Sequence, residues 1–502
     1  MMVSDIVLAA AIAAALKLVL WIYESARQPT NGQLHAITNA HFSTPFSRLW
    51  LLWIRATGEE FTKCLEAHRT LGPIIRIGPN EISINHVDGV RTVYGGNWDK
   101  SSMYDKFTYF GFSPLFAIRQ GKSHAERKRL FTHVFSKSTI VNSAKLNDLL
   151  QSILTARLLP RLRQASDNGD DVEVFSLTRE YSMDVVTGYL YGKENGTNWL
   201  ENHDNAAHHL TAFQQYAERL AFFAITDLHS LVTSFKRLGI DLVPPSVDMA
   251  YETISSFLWD ITTRTIDSFK NGETEVKGDT GILKDVWQKL GNVTAEEKTR
   301  LIASDMGDQL HAGHVATGTM LTYLMWELSR NIDIQTRLRR ELASLNDPYS
   351  SELLDAVLLE TYRMYPAGYG PFPRVASENS TVHGFAIPKG TIASASPFML
   401  GRNAAMFPNP DFWLPGRWVG VDSDKKRQMQ RWVWMFMSGP RICIGEHLAV
   451  IAMKRFVIEI YSRYETTIIG DPDMTQLETF FSVPAGASLP LKFRRGPLKT
   501  NR

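Results

Sequence analysis

A chain of 502 residues that is 44% hydrophobic and 11% aromatic can bury a large core, and a formal charge of +2 gives no electrostatic case for a nucleic-acid partner. No low-complexity segment or short-period repeat interrupts it, which excludes fibrous, disordered and solenoid classes. Its two cysteines, Cys64 and Cys443, cannot build a disulfide framework if one of them is a ligand, which favours a reducing compartment. In chain order, residues 6–23 come first as an almost unbroken apolar run, near the minimum of about 17 residues for a membrane-spanning helix. Lys17 interrupts the run with a stem long enough to snorkel. A cleavable signal peptide would need a basic n-region, which residues 1–5 lack, so a retained anchor over residues 1–27 is expected. Arg27, Arg48 and Arg55 follow the run while only Asp5 precedes it, so residues 28–502 belong in the cytosol by the positive-inside rule. The sequons at Asn195, Asn292 and Asn379 then read as chance matches.

Residues 71–84 alternate β-branched and other residues between turn formers and predict a two-stranded hairpin. Helical patterns dominate to about residue 366, broken by a polar loop at residues 270–279. Thr294 and Glu297 frame a capping box, and the helix it opens runs to about Arg330, long enough to cross the whole domain. Beyond Pro366 come short strands and Pro/Gly-rich turns, then Cys443 with a helix behind it, then a final strand pair near residues 479–493.

The loop at residues 436–445 is shaped to hold a thiolate against a metal. Gly439 permits a tight turn, Arg441 places a fixed cation beside the sulfur, and Gly445 lets a partner approach the backbone where the next helix begins. Backbone N–H groups at that helix start favour an anionic sulfur. With no second cysteine nearby, the pattern argues against four-coordinate zinc and for one axial bond to haem iron. The plain alternative is a buried structural cysteine. Phe436, Gly439, Arg441, Cys443 and Gly445 match all five defining positions of Phe-x-x-Gly-x-Arg-x-Cys-x-Gly, the haem-binding signature of the cytochrome P-450 superfamily. This loop resembles that signature closely; five such matches arise by chance on the order of once in several thousand chains.

The resemblance extends from residue 71 to 493. It implies a mainly α fold with small β-sheets, the triangular prism of that superfamily, with haem b bound through Cys443. Glu360 and Arg363 resemble the family's Glu-x-x-Arg, one helix turn apart, and Arg417 in a Pro-x-Arg-like segment would complete a structural network with them. The two haem propionates need cations, and the resemblance points to His124, Lys128, Arg374 and Arg441. Lys128 stands where Arg is usual, which turns a bidentate contact into a point charge. Arg127 and Arg129 read as a solvated basic face.

Tyr104, Phe107, Tyr109, Phe110 and Phe112 fall where the family carries a variable loop over the haem, so they are candidate pocket walls, with Phe213, Phe222, Val315, Tyr369 and Phe481. The long helix carries Ala312, Gly313, His314, Val315, Ala316 and Thr317, which resemble the family's Ala-Gly-x-Asp/Glu-Thr-Thr. Small residues there leave room for O2, and an acid–alcohol pair relays protons. Here Val315 and Ala316 replace that pair, leaving Thr317 and, one turn before Ala312, Asp308 as proton sources. His311 and His314 need no role beyond packing.

The resemblance is to microsomal enzymes of filamentous fungi that tailor secondary metabolites. It implies an endoplasmic-reticulum monooxygenase that takes electrons from NADPH through a separate flavoprotein reductase and inserts one O2 atom into a lipophilic substrate. Val315 and Ala316 leave open a haem-thiolate isomerase, dehydratase or coupling catalyst; a haem carrier or sensor without turnover is a third reading.

Overall fold

The computed structural model describes residues 32–270, 281–291 and 293–496. Thr294 caps the central helix, its Oγ1 accepting from the Glu297 N–H at 3.2 Å, and 36 helical residues follow as Ala295–Arg330. At 1.5 Å per residue that helix is about 54 Å long, enough to cross the molecule. It is buried on all sides over much of its length. Its main partner is the helix Val174–Tyr191, buried at almost every position. Glycines set how closely the two approach. A Cβ on Gly313 would lie 2.9 Å from Val186 Cγ2, and one on Gly318 would lie 2.8 Å from Arg179 Cγ and 3.0 Å from its Cα. Gly313 is therefore small for helix packing as well as for the space in front of it.

The predicted hairpin is present: Ile74–Gly78 pairs antiparallel with Glu81–Ile84, with Ile74 opposite Ile84. It starts a five-stranded sheet that continues through Ile392–Ser394 and Arg374–Val375 to Asp99–Lys100. At that far edge Lys100 stands directly opposite Arg374, two cations on neighbouring strands. The expected C-terminal pair is displaced. Pro490–Arg495 pairs with Tyr464–Ile468 on one side and with Asp171–Glu173 on the other. Residues 476–484 make only isolated bridges, because Pro484 and the positive φ of Ala487, 45°, prevent a continuous strand.

The fold is thus mainly helical with small sheets, and Glu352–Met364 carries the Glu360–Arg363 pair at its buried end. No helix among the described residues is long and apolar enough to cross a membrane. The anchor expected at residues 1–27, Asn292 and nearly all of the polar loop expected at residues 270–279 lie outside them.

Candidate active site

Cys443 ends a turn that its own backbone closes. Gly439 has φ of +73°, and a Cβ there would sit 2.3 Å from the Tyr94 carbonyl oxygen, so this position admits no larger residue. The Cys443 N–H donates to Phe436 O at 2.9 Å, and the helix Glu446–Tyr461 starts three residues later. Cys443 is deep in the protein yet accessible, because it opens onto an internal cavity. That cavity has a volume of about 300 Å³, counted as the space open to the centres of water molecules. Gly445 lies on the same wall, and a Cβ there would meet nothing.

Burial pushes the Cys443 thiol up to about 11, while the Gly445 and Glu446 N–H groups and the Lys128 charge pull the other way. The cation acting on the sulfur is therefore Lys128; the Arg441 expected there points away, its Nη1 and Nη2 donating to Ile118 O at 2.6 Å and Arg119 O at 2.7 Å. Lys128 Nζ donates to Pro440 O at 2.9 Å, fastening the helix Gly121–Thr132 to the cysteine loop.

His124, Lys128 and Arg441 all line the cavity, and Lys100 joins them. Arg374 stands one layer behind, its guanidinium 5.0 Å above the Tyr94 ring and 3.3 Å from Tyr104 Oη. Sequence reading missed Lys100: a lone lysine in a polar loop carries no signal until the strand pairing sets it opposite Arg374. Its Nζ donates to Phe116 O and lies 4.0 and 4.2 Å from the Phe116 and Tyr104 ring centroids. Burial lowers the His124 imidazole to about 3, helped by the charges of Arg441, Lys100 and Lys128. Burial likewise lowers Lys100, with Arg374 and Arg441 adding to it. None of these five groups makes a salt bridge among the described residues; the Asp308 carboxyl on the same wall acts on Lys100 and the Asp99 carboxyl on Arg441 only across space, so cations outnumber carboxylates along this edge of the cavity. Arg127, assigned above to a solvated face, instead pairs with Asp305 at 2.8 Å.

Along the central helix, Asp308, Ala312, Gly313, Ala316 and Thr317 front the cavity. Burial raises the Asp308 carboxyl to about 7, against the Lys100 charge and a hydrogen bond from the Phe116 N–H. Gln309 and His311 border it too, His311 in the packing role expected of it, stacked on Phe481 at 5.5 Å and edge-on to Phe213 at 5.1 Å. Of the aromatic candidates, Phe107, Tyr109, Phe222 and Phe481 line the cavity, with Phe116 and Phe480 beside them. Tyr104 is one layer back, beneath Lys100. Phe110 has φ of 55°, which turns its ring onto Trp259 at 5.5 Å. Phe112 is held in a turn with Tyr109 and accepts from Ser304 Oγ at 2.8 Å. Tyr369 donates to Gln476 Oε1 at 2.8 Å and packs on Phe61, and Val315 is buried off the wall, as is Phe213, which packs on His311 and His314.

A thiol fronting a cavity of this size, beside an edge where cations predominate, fits a flat dianionic group held through one sulfur. Among the described residues no set of three or more His, Cys, Asp or Glu side chains converges to hold a metal, so a metal here would rest on Cys443 alone. The family model for cytochrome P450 matches residues 42–490. The chain belongs to the cytochrome P450 family. It is similar to the cytochrome P450 monooxygenase FGM1 of Gibberella zeae, 25% identical over 85% of this chain and 86% of that one. It is likewise similar to the cytochrome P450 monooxygenase hkm5 of Aspergillus hancockii, 26% identical over 81% and 79% of the two chains. The third, penB of Penicillium thymicola, also a cytochrome P450 monooxygenase, is 23% identical over 81% and 93%. The protein is an oxidoreductase, a haem-thiolate monooxygenase of this cytochrome P450 family.

Proposed function

We propose that this cytochrome P450 holds haem b through Cys443 and oxidises a lipophilic small molecule, a fungal secondary metabolite, with electrons that a separate reductase takes from NADPH. One observation carries the assignment: the Cys443 thiol opens onto the cavity whose rim holds His124, Lys128, Arg441 and Lys100, more cations than carboxylates. Those cations, with Arg374 behind them, are matched to the two propionates. The bound haem supplies the activation of O2. Gly445 keeps the cysteine wall open to a flat group.

Asp308 holds a proton on its carboxyl close to neutrality, and Thr317 presents a hydroxyl about two and a half turns further along the same helix. Together they supply what Val315 and Ala316 lack, which favours oxygen insertion over an isomerase that consumes no protons. The aromatic wall of Phe107, Phe116, Phe222, Phe480 and Phe481 supports an apolar substrate. The apolar run at residues 6–23 supports a single-pass anchor in the endoplasmic reticulum with the catalytic domain in the cytosol. Phe42, Phe46 and Trp53, 82%, 63% and 67% exposed just after it, support contact with lipid.

The test is the reduced carbonyl spectrum. Thiolate donation moves the Soret band to long wavelength, so Cys443→Ser loses that band. A Cys443→Ser protein that kept it at wild-type intensity would end the assignment. Consumption of NADPH and O2 in step with product separates oxygen insertion from an isomerase, which needs neither, and from a sensor, which makes no product.

A further inference from the structure

Behind the cysteine loop, the helix Glu352–Met364 and the central helix bring tyrosines and a tryptophan together. Tyr365 caps the first of these helices, and its ring lies flat on Tyr323 of the second, centroids 4.4 Å apart and planes 3° from parallel. Trp326 meets the two rings edge-on, at 5.9 Å from Tyr365 and 6.3 Å from Tyr323. One turn before Tyr365, Tyr362 stands edge-on to Phe436 at 5.4 Å. Phe436 in turn lines the cavity and accepts from the Cys443 N–H. At the other end the half-exposed Arg330 guanidinium lies 4.6 Å above the Trp326 ring. Aromatic side chains thus lead from the wall beside Cys443 to the surface.

The three tyrosines differ in where the phenolic proton can go. Oη of Tyr362 and Oη of Tyr323 are buried and have no hydrogen-bond partner among the described residues. Tyr365 Oη donates to Glu327 Oε1, on a carboxylate that is 2% exposed and whose other oxygen accepts from Asn331 Nδ2 at 3.0 Å. Burial raises the Glu327 carboxyl, so it takes a proton more readily than a carboxylate in water, and burial beside that charge keeps the Tyr365 phenol protonated at rest. A phenol gives up an electron readily only when its proton leaves with it. Of the three, Tyr365 alone has a base in place to take that proton.

We infer that Tyr365, with Glu327 as its base, is an electron donor that quenches oxidising equivalents stranded at the haem when no substrate is oxidised. The inference goes beyond the oxidation of substrate and rests on the haem reading above. Each step moves one electron and one proton. Tyr365 loses an electron toward the haem by way of Tyr362 and Phe436, its O–H bond breaks, and the proton passes to Glu327 Oε1; the haem side is reduced by one electron. The neutral tyrosyl radical is refilled by one electron that enters through Trp326 from a soluble thiol or ascorbate, and the proton returns from Glu327 to Oη. Taken twice, the step clears a two-electron oxidant. The stack on Tyr323 fixes the ring so that Oη stays on Glu327.

Haem-loaded, substrate-free protein mixed with peracetic acid and rapidly frozen tests this, with electron paramagnetic resonance reading organic radical per haem. Wild type gives a tyrosyl signal. Tyr365→Phe, which keeps the ring and its stack, and Glu327→Gln, which keeps an acceptor oxygen but takes no proton, each lower that signal by about tenfold or more. Both variants also bleach their haem faster in the same oxidant, and ascorbate slows bleaching more in wild type than in either. Tyr323→Phe, which removes a hydroxyl that has no acceptor, leaves the signal in place. A wild type without a tyrosyl signal overturns the inference, and so does a signal that persists in Tyr365→Phe, since the radical then sits on another tyrosine. A signal that persists in Glu327→Gln overturns the part given to Glu327; should that variant not fold, Tyr365→Phe decides the matter alone. Failure of the haem reading shows separately, as a wild type that lacks the long-wavelength carbonyl band before any oxidant is added.

Discussion

Glu360 grips Arg363 through two parallel hydrogen bonds, Arg363 Nε to Oε2 at 3.0 Å and Nη2 to Oε1 at 2.7 Å, from adjacent turns of one buried helix. No N–H of that guanidinium is left over: Nη1 reaches Gly401 O at 2.8 Å and Pro410 O at 2.6 Å, and Nη2 reaches Phe412 O at 2.8 Å. The carboxylate also accepts from Leu414 N at 2.8 Å, Trp418 Nε1 at 2.8 Å and Arg417 Nε at 3.0 Å. The pair therefore fastens the helix Glu352–Met364 to residues 401–418, the stretch that leads into the cysteine loop.

Both side chains are fully buried, so removing either leaves a charge without its partner, at a cost of about 3–5 kcal/mol. Glu360→Ala and Arg363→Ala are each expected to give protein without haem, read as haem per polypeptide. Arg363→Lys fails as well, since an ammonium cannot reach five acceptors in a plane. Arg417→Ala is milder, because its other contacts, Pro408 O at 3.0 Å and Asn409 O at 3.4 Å, lie at the surface. Soluble Glu360→Ala holoprotein with only slower turnover contradicts this account.

Gly318→Ala forces a methyl to within 3.0 Å of the Arg179 Cα, a backbone atom that cannot swing aside. A loss of about 1–3 kcal/mol is expected from overpacking, measured by denaturant midpoint at unchanged slope. Gly313→Ala meets only the Val186 side chain and costs less. Equal midpoints for Gly318→Ala and wild type show that the two central helices are more loosely joined than their packing implies.

The cysteine loop, the long helix and the Glu360 network are legible in the sequence because each is local: a turn, a cap or an i,i+3 spacing fixes it. The pocket wall is not. Tyr104, Phe107, Phe110 and Phe112 share one loop, yet only Phe107 of these fronts the cavity, since left-handed turns at Phe110 and Gly111 send neighbouring rings to different places. Lys100 becomes visible only when its strand pairs with Arg374, a contact between residues far apart in sequence.

Deletion of residues 1–27 is expected to release the chain from membranes while haem loading persists, because the match to the family begins only at residue 42. Flotation of both forms with liposomes reads the first effect and the carbonyl spectrum reads the second. Exposed Phe42, Phe46 and Trp53 leave weak residual binding that Trp53→Ser reduces. A truncated chain that never binds haem makes the segment part of the core.

The Asp308 carboxyl is raised by burial from its usual range to about 7, so the folded state holds a proton there that the unfolded chain has released. The sign follows: its stabilising effect is full below about pH 4 and is lost as pH rises through 7. Asp308→Asn should therefore match wild type at pH 4 and exceed it at pH 8, by up to about 4 kcal/mol. Lys100→Met removes the charge that favours the carboxylate and moves the transition to higher pH. Identical pH profiles for wild type and Asp308→Asn place the charge in water.

The same carboxyl bears on turnover. Thr317 and Ala316 are neighbours on the cavity wall, and only Thr317 carries a hydroxyl. If Thr317 passes protons, Thr317→Ala lowers product by about 10²-fold and raises hydrogen peroxide released per NADPH, with haem loading intact. If Asp308 is the source, Asp308→Asn does so instead, and its activity loses the dependence on pH near 7 that wild type shows. Ala316→Thr adds a hydroxyl where the wall carries a methyl and shifts coupling or product distribution more than stability. Product formed per NADPH across these three variants separates the routes. Unchanged coupling in all of them means that neither side chain feeds the reaction, and that the substrate's own hydroxyl or bound water supplies the protons.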